Sequence, residues 1–139
     1  MSHVPHRVSD QPRSRTGLLS IDCLANPRSQ HPVIPEYALA KHITHVALAF
    51  MNSALFNEES PRQWPLFTTI PEIRPKFHPL TKFVVAIGGW GDTAGFDVAA
   101  RDEQSRARWA RNVARMVEDM EADGVDVDWE YPGYALLRV

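Results

Sequence analysis

The stretch Gly124-Val125-Asp126-Val127-Asp128-Trp129-Glu130-Tyr131 alternates apolar and acidic side chains from Val125 to Glu130. In an extended strand, residues two apart share a face and stand roughly 7 Å from one another. Asp126, Asp128 and Glu130 therefore line one face, and Val125, Val127 and Trp129 the other. The apolar face predicts a covering helix. The acidic face predicts solvent or a functional cavity.

A solvated edge strand is the plainest account of such a run. It fits poorly, because Asp is disfavoured in strands and aligned like charges repel. A calcium loop of the EF-hand kind needs glycine at its sixth position, where Tyr131 stands. Acid–base chemistry fits better. Close carboxylates do not all ionise easily, so one keeps a proton and becomes a usable general acid near neutrality. Glu130 ends the row at the C-terminal end of the strand, where parallel α/β architectures place their sites.

Working backwards, residues 102–121 read as a helix. Trp109, Val113, Met116 or Val117, and Met120 recur at helical spacing, which marks a buried stripe. Asp102 and Glu103 suit its start, and Gly124 its stop. Residues 82–89, KFVVAIGG, form a β-branched strand punctuated by glycine, followed by a turn in GWGDTAG. Residues 51–79 are proline-rich and read as one long irregular segment, a length that is usually functional or mobile. Residues 43–50, ITHVALAF, read as a strand buried on both faces. A short helix is expected over 36–42, a loop over 26–36 and a first strand over 18–26. Residues 1–17 are polar and proline-bearing and read as a flexible tail. Strands separated by helices favour a parallel sheet.

The totals exclude several classes. The chain has 139 residues, 44% apolar and 23% charged, with a net charge of −2. That is a globular composition, and it offers no electrostatic case for nucleic acid or an anionic membrane. Arg106, Arg108, Arg111 and Arg115 share their helix with Glu103, Glu118, Asp119 and Glu121 and so read as a mixed solvated face. No run of apolar residues reaches membrane-spanning length. The N-terminus has no signal-peptide core, so the chain as given reads as intracellular, and the sequence assigns no compartment beyond that. Cys23 is the single cysteine and has no matched base for a nucleophilic role. His42 and His45 straddle a helix-to-strand boundary with no companion ligand and read as local structural residues; no metal or organic cofactor is expected.

The run Asp123-Gly-Val-Asp126-Val-Asp128-Trp-Glu130-Tyr-Pro resembles the signature of glycoside hydrolase family 18, the chitinases and their relatives. The family pattern Asp-x-x-Asp-x-Asp-x-Glu sits on the fourth strand of a (β/α)8 barrel, and all four acids match. KFVVAIGGWGD resembles the family's third-strand motif, Ser-x-Gly-Gly followed by Trp, with Ala86 where the family has serine. ITHVALAFMNSALF is similar to the second strand. The resemblance covers roughly residues 32–134, the first half of a barrel of about 250 residues. The expected fold is thus α/β, a partial (β/α)8 TIM barrel of roughly the first four strands, with residues 18–139 as a truncated catalytic domain.

The resemblance implies retaining, substrate-assisted hydrolysis of β-1,4-linked N-acetylglucosamine polymers, with chitin or chitooligosaccharide as partner. By matched position Glu130 is the proton donor, Asp128 the group that holds the substrate acetamide, and Asp126 its proton-sharing neighbour. Gly88, Gly89, Trp90 and Gly91 match a sugar-binding turn. Tyr131 and Phe50 are further candidate sugar contacts. Asp123 differs in parity from the other acids and is given a structural role at the strand entrance. The later strands, which would carry a supporting tyrosine and a tryptophan under the sugar, are not in this sequence, so little hydrolysis is expected from the 139 residues alone.

Two other readings compete with this one. One is a chitinase-like fragment that holds sugar without cleaving it. The other is a dinucleotide site on Gly89-x-Gly91-x-x-Ala94. The acid which that fingerprint wants about 20 residues further on would fall inside the helix near Trp109, where no carboxylate is at hand.

Overall fold

A computed structural model describes residues 17–22, 34–61, 64–65 and 68–133. Residues 1–16 of the expected tail, residues 26–33 of the expected loop, Cys23 and the last six residues lie outside these; Gly17, expected in the tail, is instead tied to the sheet, donating to the Thr44 hydroxyl at 3.1 Å and accepting from the Thr44 N–H at 2.9 Å. Among the described residues four strands form one sheet: β1 (Leu18–Asp22), β2 (His45–Met51), β3 (Lys82–Gly88) and β4 (Gly124–Asp128). All pairings are parallel, and the strands lie in sequence order. The helices are α1 (Tyr37–Ala40), α2 (Ile70–Ile73), α3 (Ala94–Ala100) and α4 (Glu103–Asp119). This is the arrangement expected of the first strands of a (β/α)8 barrel. A doubly wound dinucleotide fold needs a reversal of strand order for its crevice, and the described sheet has none.

Strand parity sorts the side chains into two layers. Val46, Leu48, Phe83, Val85 and Ile87 point to the helix side, where they meet Phe56, Ile70, Ile73, Phe96, Val113 and Met116 in one apolar core. Complete burial of a side chain of this size contributes about 1.5–3 kcal/mol. The opposite face carries small residues, Ala47, Ala49 and Ala86, with Phe50 and Val84 beside them.

Helix α4 runs on the stripe that its sequence predicts. Val113 and Met116 are buried, with Trp109, Val117 and Met120 packed at the margin. Asp102 caps it by accepting from the Ser105 N–H at 2.7 Å. Buried Asn112 also faces inward, donating at 2.9 Å to both the Phe56 and Glu58 carbonyls. Those bonds satisfy the amide and tie α4 to the segment after β2.

Three expectations need correction. Gly124 does not stop α4. The helix ends at Asp119, the reversal falls on Glu121 with φ 54°, and Gly124 opens β4. Glu121 is the left-handed residue of a Schellman-type helix end, in which the Ala122 N–H donates to the Val117 carbonyl at 3.0 Å and the Glu121 N–H to the Glu118 carbonyl at 3.1 Å; Arg74 also donates to the Glu121 carbonyl at 2.9 Å. Residues 51–79 are not one irregular segment. A 3-10 turn at Ser53–Asn57 buries Phe56, and α2 starts with a capping box between Thr69 and Glu72. Proline at the start of a helix is tolerated, because that N–H has no partner to lose, so Pro71 does not break α2. Finally, the turn after β3 runs directly into α3, which holds Gly95 within it. A Cβ there would collide with the Ala54 N–H and the Ser53 hydroxyl, so glycine is demanded by close packing.

Candidate active site

The acid row sits at the sheet edge. β4 covers Asp126 and Asp128, and Glu130 stands just beyond its C-terminal end. Asp126 is exposed, while Asp128 and Glu130 are half-buried. Among the described residues none of the three carboxylates has a hydrogen-bond or ion-pair partner. The register places Ala86 beside Asp126 and Gly88 beside Asp128. The neighbour of the inner aspartate is thus a methyl group, which can neither donate nor accept.

The apolar side of the same strand is held from behind. Val125 and Trp129 pack on the core. The Trp129 ring stacks on Phe96 with centroids 5.3 Å apart, and Phe96 leans on Trp109 at 5.7 Å. Trp109 meets Phe56 edge-on, and Phe56 stacks on Trp64. Aromatic contacts of this kind add about 0.5–1.5 kcal/mol each beyond their area. Val127 departs from the expectation of a helix-covered face. It is 50% exposed, on a strand that forms the edge of the described sheet.

Glycines bring β3 against β4. Gly88 has φ 107°, and a Cβ there would strike the Asp128 carbonyl and come within 2.7 Å of the Phe96 ring. The Gly89 N–H donates to the Asp128 carbonyl at 2.9 Å. A Cβ on Gly89 would come within 3.2 Å of the Phe50 ring. What crowds Gly88 and Gly89 is therefore protein, whereas a Cβ on Gly91 would meet nothing within 4 Å. Between them Trp90 is 80% exposed, and Tyr131 is 56% exposed beyond Glu130. Phe50 lies on the alanine face, beside Ala49 and Ala86.

At the far end of β4, Asp123 makes a different set of contacts. It accepts from the Phe83 N–H at 2.9 Å and pairs with Lys82 at 3.1 Å and Arg74 at 3.2 Å. Burial pushes its pKa up, but the hydrogen bonds from Phe83, Lys82 and Arg74 outweigh this and leave it below the ordinary aspartate value.

Ser53 and Asp92 did not stand out in the sequence. The Asp92 carboxylate accepts from the Ser53 N–H at 2.7 Å and from its hydroxyl at 2.6 Å. The one available signal was an acid placed directly after the Gly-Trp-Gly turn. Among the described residues no cluster of His, Cys, Asp and Glu is gathered for a metal ion.

The family model of glycosyl hydrolases family 18 matches residues 20–135. The chain belongs to that family. Among the similar proteins in family 18 is a class V chitinase from Lotus japonicus, 34% identical over 99 residues, which is 66% of this chain and 24% of the relative. An endochitinase from Manduca sexta is 37% identical over 59 residues, 42% of this chain and 11% of the relative. A solved family 18 N-acetylglucosaminidase from Paenibacillus barengoltzii aligns at a TM-score of 0.63 and 26% identity, covering 87% of this chain and 33% of that one. The family 18 chain thus spans a third or less of the length of each of these proteins. Its four-stranded sheet is part of a (β/α)8 barrel.

Proposed function

We propose that this chain carries the catalytic strand of a chitinase-type hydrolase, acting on β-1,4-linked N-acetylglucosamine polymers. The observation that supports this best is the row of Asp126, Asp128 and Glu130, free of protein partners among the described residues and flanked by exposed Trp90 and Tyr131. Carboxylates committed to structure have donors, as Asp123 does. These three are left for a ligand.

In this reading the Glu130 carboxyl gives its proton to the glycosidic oxygen as the bond to the anomeric carbon breaks. The substrate's acetamido oxygen attacks that carbon and forms an oxazolinium ion. Asp128 accepts from the acetamido N–H and stabilises the positive charge, and Asp126 shares a proton with Asp128. Glu130 then takes a proton from water as it attacks the same carbon, and two inversions give net retention. The scheme departs from the usual pair of enzyme carboxylates, because the substrate supplies the nucleophile. No metal or organic cofactor takes part.

An open sheet leaves strand edges unpaired and the barrel interior unclosed. We therefore propose that the 139 residues alone turn over little substrate while still binding it. Binding to chitin beads is expected, weakened by Trp90→Ala, with no release from a chromogenic chitobioside above the blank. Clear release that Glu130→Gln lowers by about 10²–10⁴-fold would remove the impairment and keep the chemistry. Release indifferent to Glu130→Gln would sink the acid assignment, and absence of chitin binding would sink the substrate class. Sugar holding without cleavage is the second reading, supported by the exposed rings of Trp90 and Tyr131.

A further inference from the structure

Trp90 stands on a turn that should be loose. Gly88, Gly89 and Gly91 surround it, all with positive φ, and glycine-rich backbone loses the most freedom when it is ordered. An exposed ring on such a turn would pay that ordering cost again at each binding event. The turn is closed by the Asp92 N–H, which donates to the Gly89 carbonyl at 3.1 Å. The Asp92 side chain then anchors it outside itself. Its two oxygens take the Ser53 N–H and hydroxyl at 2.7 and 2.6 Å, and Ser53 is completely buried. Bonds this short to a carboxylate are of the strong, charge-assisted kind. The Ser53 carbonyl in turn accepts from the Trp109 indole at 3.1 Å. Trp109 reaches the ring behind the acid row through Phe96.

We propose that Asp92 is a positioning residue for sugar binding: by clamping Ser53 with both oxygens it fixes Trp90 relative to the acid row. The proposal rests on the chitin reading of the site and adds a residue to it. Asp92 touches no substrate in this scheme. It acts through Trp90, and the clamp joins residues 39 apart in sequence.

The test uses the full chain labelled with 5-fluorotryptophan, with chitohexaose as probe. Four tryptophans give four fluorine resonances, and Trp90→Phe assigns one of them. Asp92→Asn replaces one of the two acceptors by a donor. Ser53→Ala is milder, since the backbone N–H still donates. Both variants should shift the Trp90 resonance in the unliganded protein. Asp92→Asn should weaken chitohexaose binding about tenfold, and Ser53→Ala should weaken it less. In a Trp90→Ala background, Asp92→Asn should cause no further loss, a result that a general structural role would not give.

Equal weakening with and without Trp90 would overturn the proposal, as would an unmoved Trp90 resonance in both variants. If Asp92→Asn does not fold, Ser53→Ala carries the same comparison. If the resonance moves but the wild-type chain binds no chitohexaose, the sugar reading fails while the clamp on Trp90 stands. If the wild type binds and the resonance stays, the clamp fails and the sugar reading stands.

Discussion

Trp129 and Glu130 are neighbours in the chain and sit in opposite surroundings. Trp129 is pressed against Phe96 and, through it, onto the aromatic row behind the sheet. Glu130 has no protein partner among the described residues. The same contrast holds down β4, between Val125 on the core side and Asp128 on the other. One face of the strand is fixed by packing so that the other can stay uncommitted. In the proposed reading, a carboxylate kept for a ligand cannot also serve as a brace. The bracing is done by the residues between the acids.

The largest way to break this contrast is to remove the brace. Phe96→Ala deletes the ring that both Trp129 and Trp109 lean on, and its loss should cost about 3–5 kcal/mol in urea unfolding. A loss under about 1 kcal/mol would show that the strand is held some other way.

Asp123 gives a middle-sized test at the other end of β4. Asp123→Asn should cost about 1–3 kcal/mol near neutral pH, because it weakens the bonds to Phe83, Lys82 and Arg74. The pKa of this group is depressed in the folded state. Its stabilisation is therefore complete above the ordinary aspartate value and is lost as pH falls through the lower folded value. Denaturant midpoints measured from neutral pH into acid should fall more steeply for the wild type than for the variant. Parallel curves would contradict the assignment.

The smallest effect is expected on the uncommitted face. Asp128→Asn removes one of several aligned like charges and breaks no protein contact, so stability should stay within about 0.5 kcal/mol, on the stabilising side. A cost above 1 kcal/mol in the same unfolding assay would reveal a structural partner and erase the contrast.

Much of this was legible in the residues. The apolar runs at 43–50 and 82–89 name their strands, because buried parallel strands leave little room for polar side chains. The alternation from Val125 to Glu130 names both faces of β4. What was hidden depends on contacts across the chain. Gly95 resembles a turn residue until Ser53 and Ala54 come against it. Glu121 takes a conformation that favours glycine at the helix end closed by the Ala122 and Glu121 N–H groups, and Arg74, 47 residues earlier in the sequence, meets its carbonyl there. The exposure of Val127 follows from where β4 sits in the sheet, which a strand's own sequence does not encode. The pairing of Asp92 with Ser53 was hidden for the same reason.

The order of the strands bears on how this sheet is made. Among the described residues each strand after the first pairs with the one before it in the sequence. A chain leaving the ribosome at about 5–20 residues per second can lay down β1, then β2, then β3, each on a template already in place. In that order of synthesis the acid strand emerges last of the four. Docking in that order would bring its charges into line only after a surface exists to receive them, so that packing could offset their repulsion.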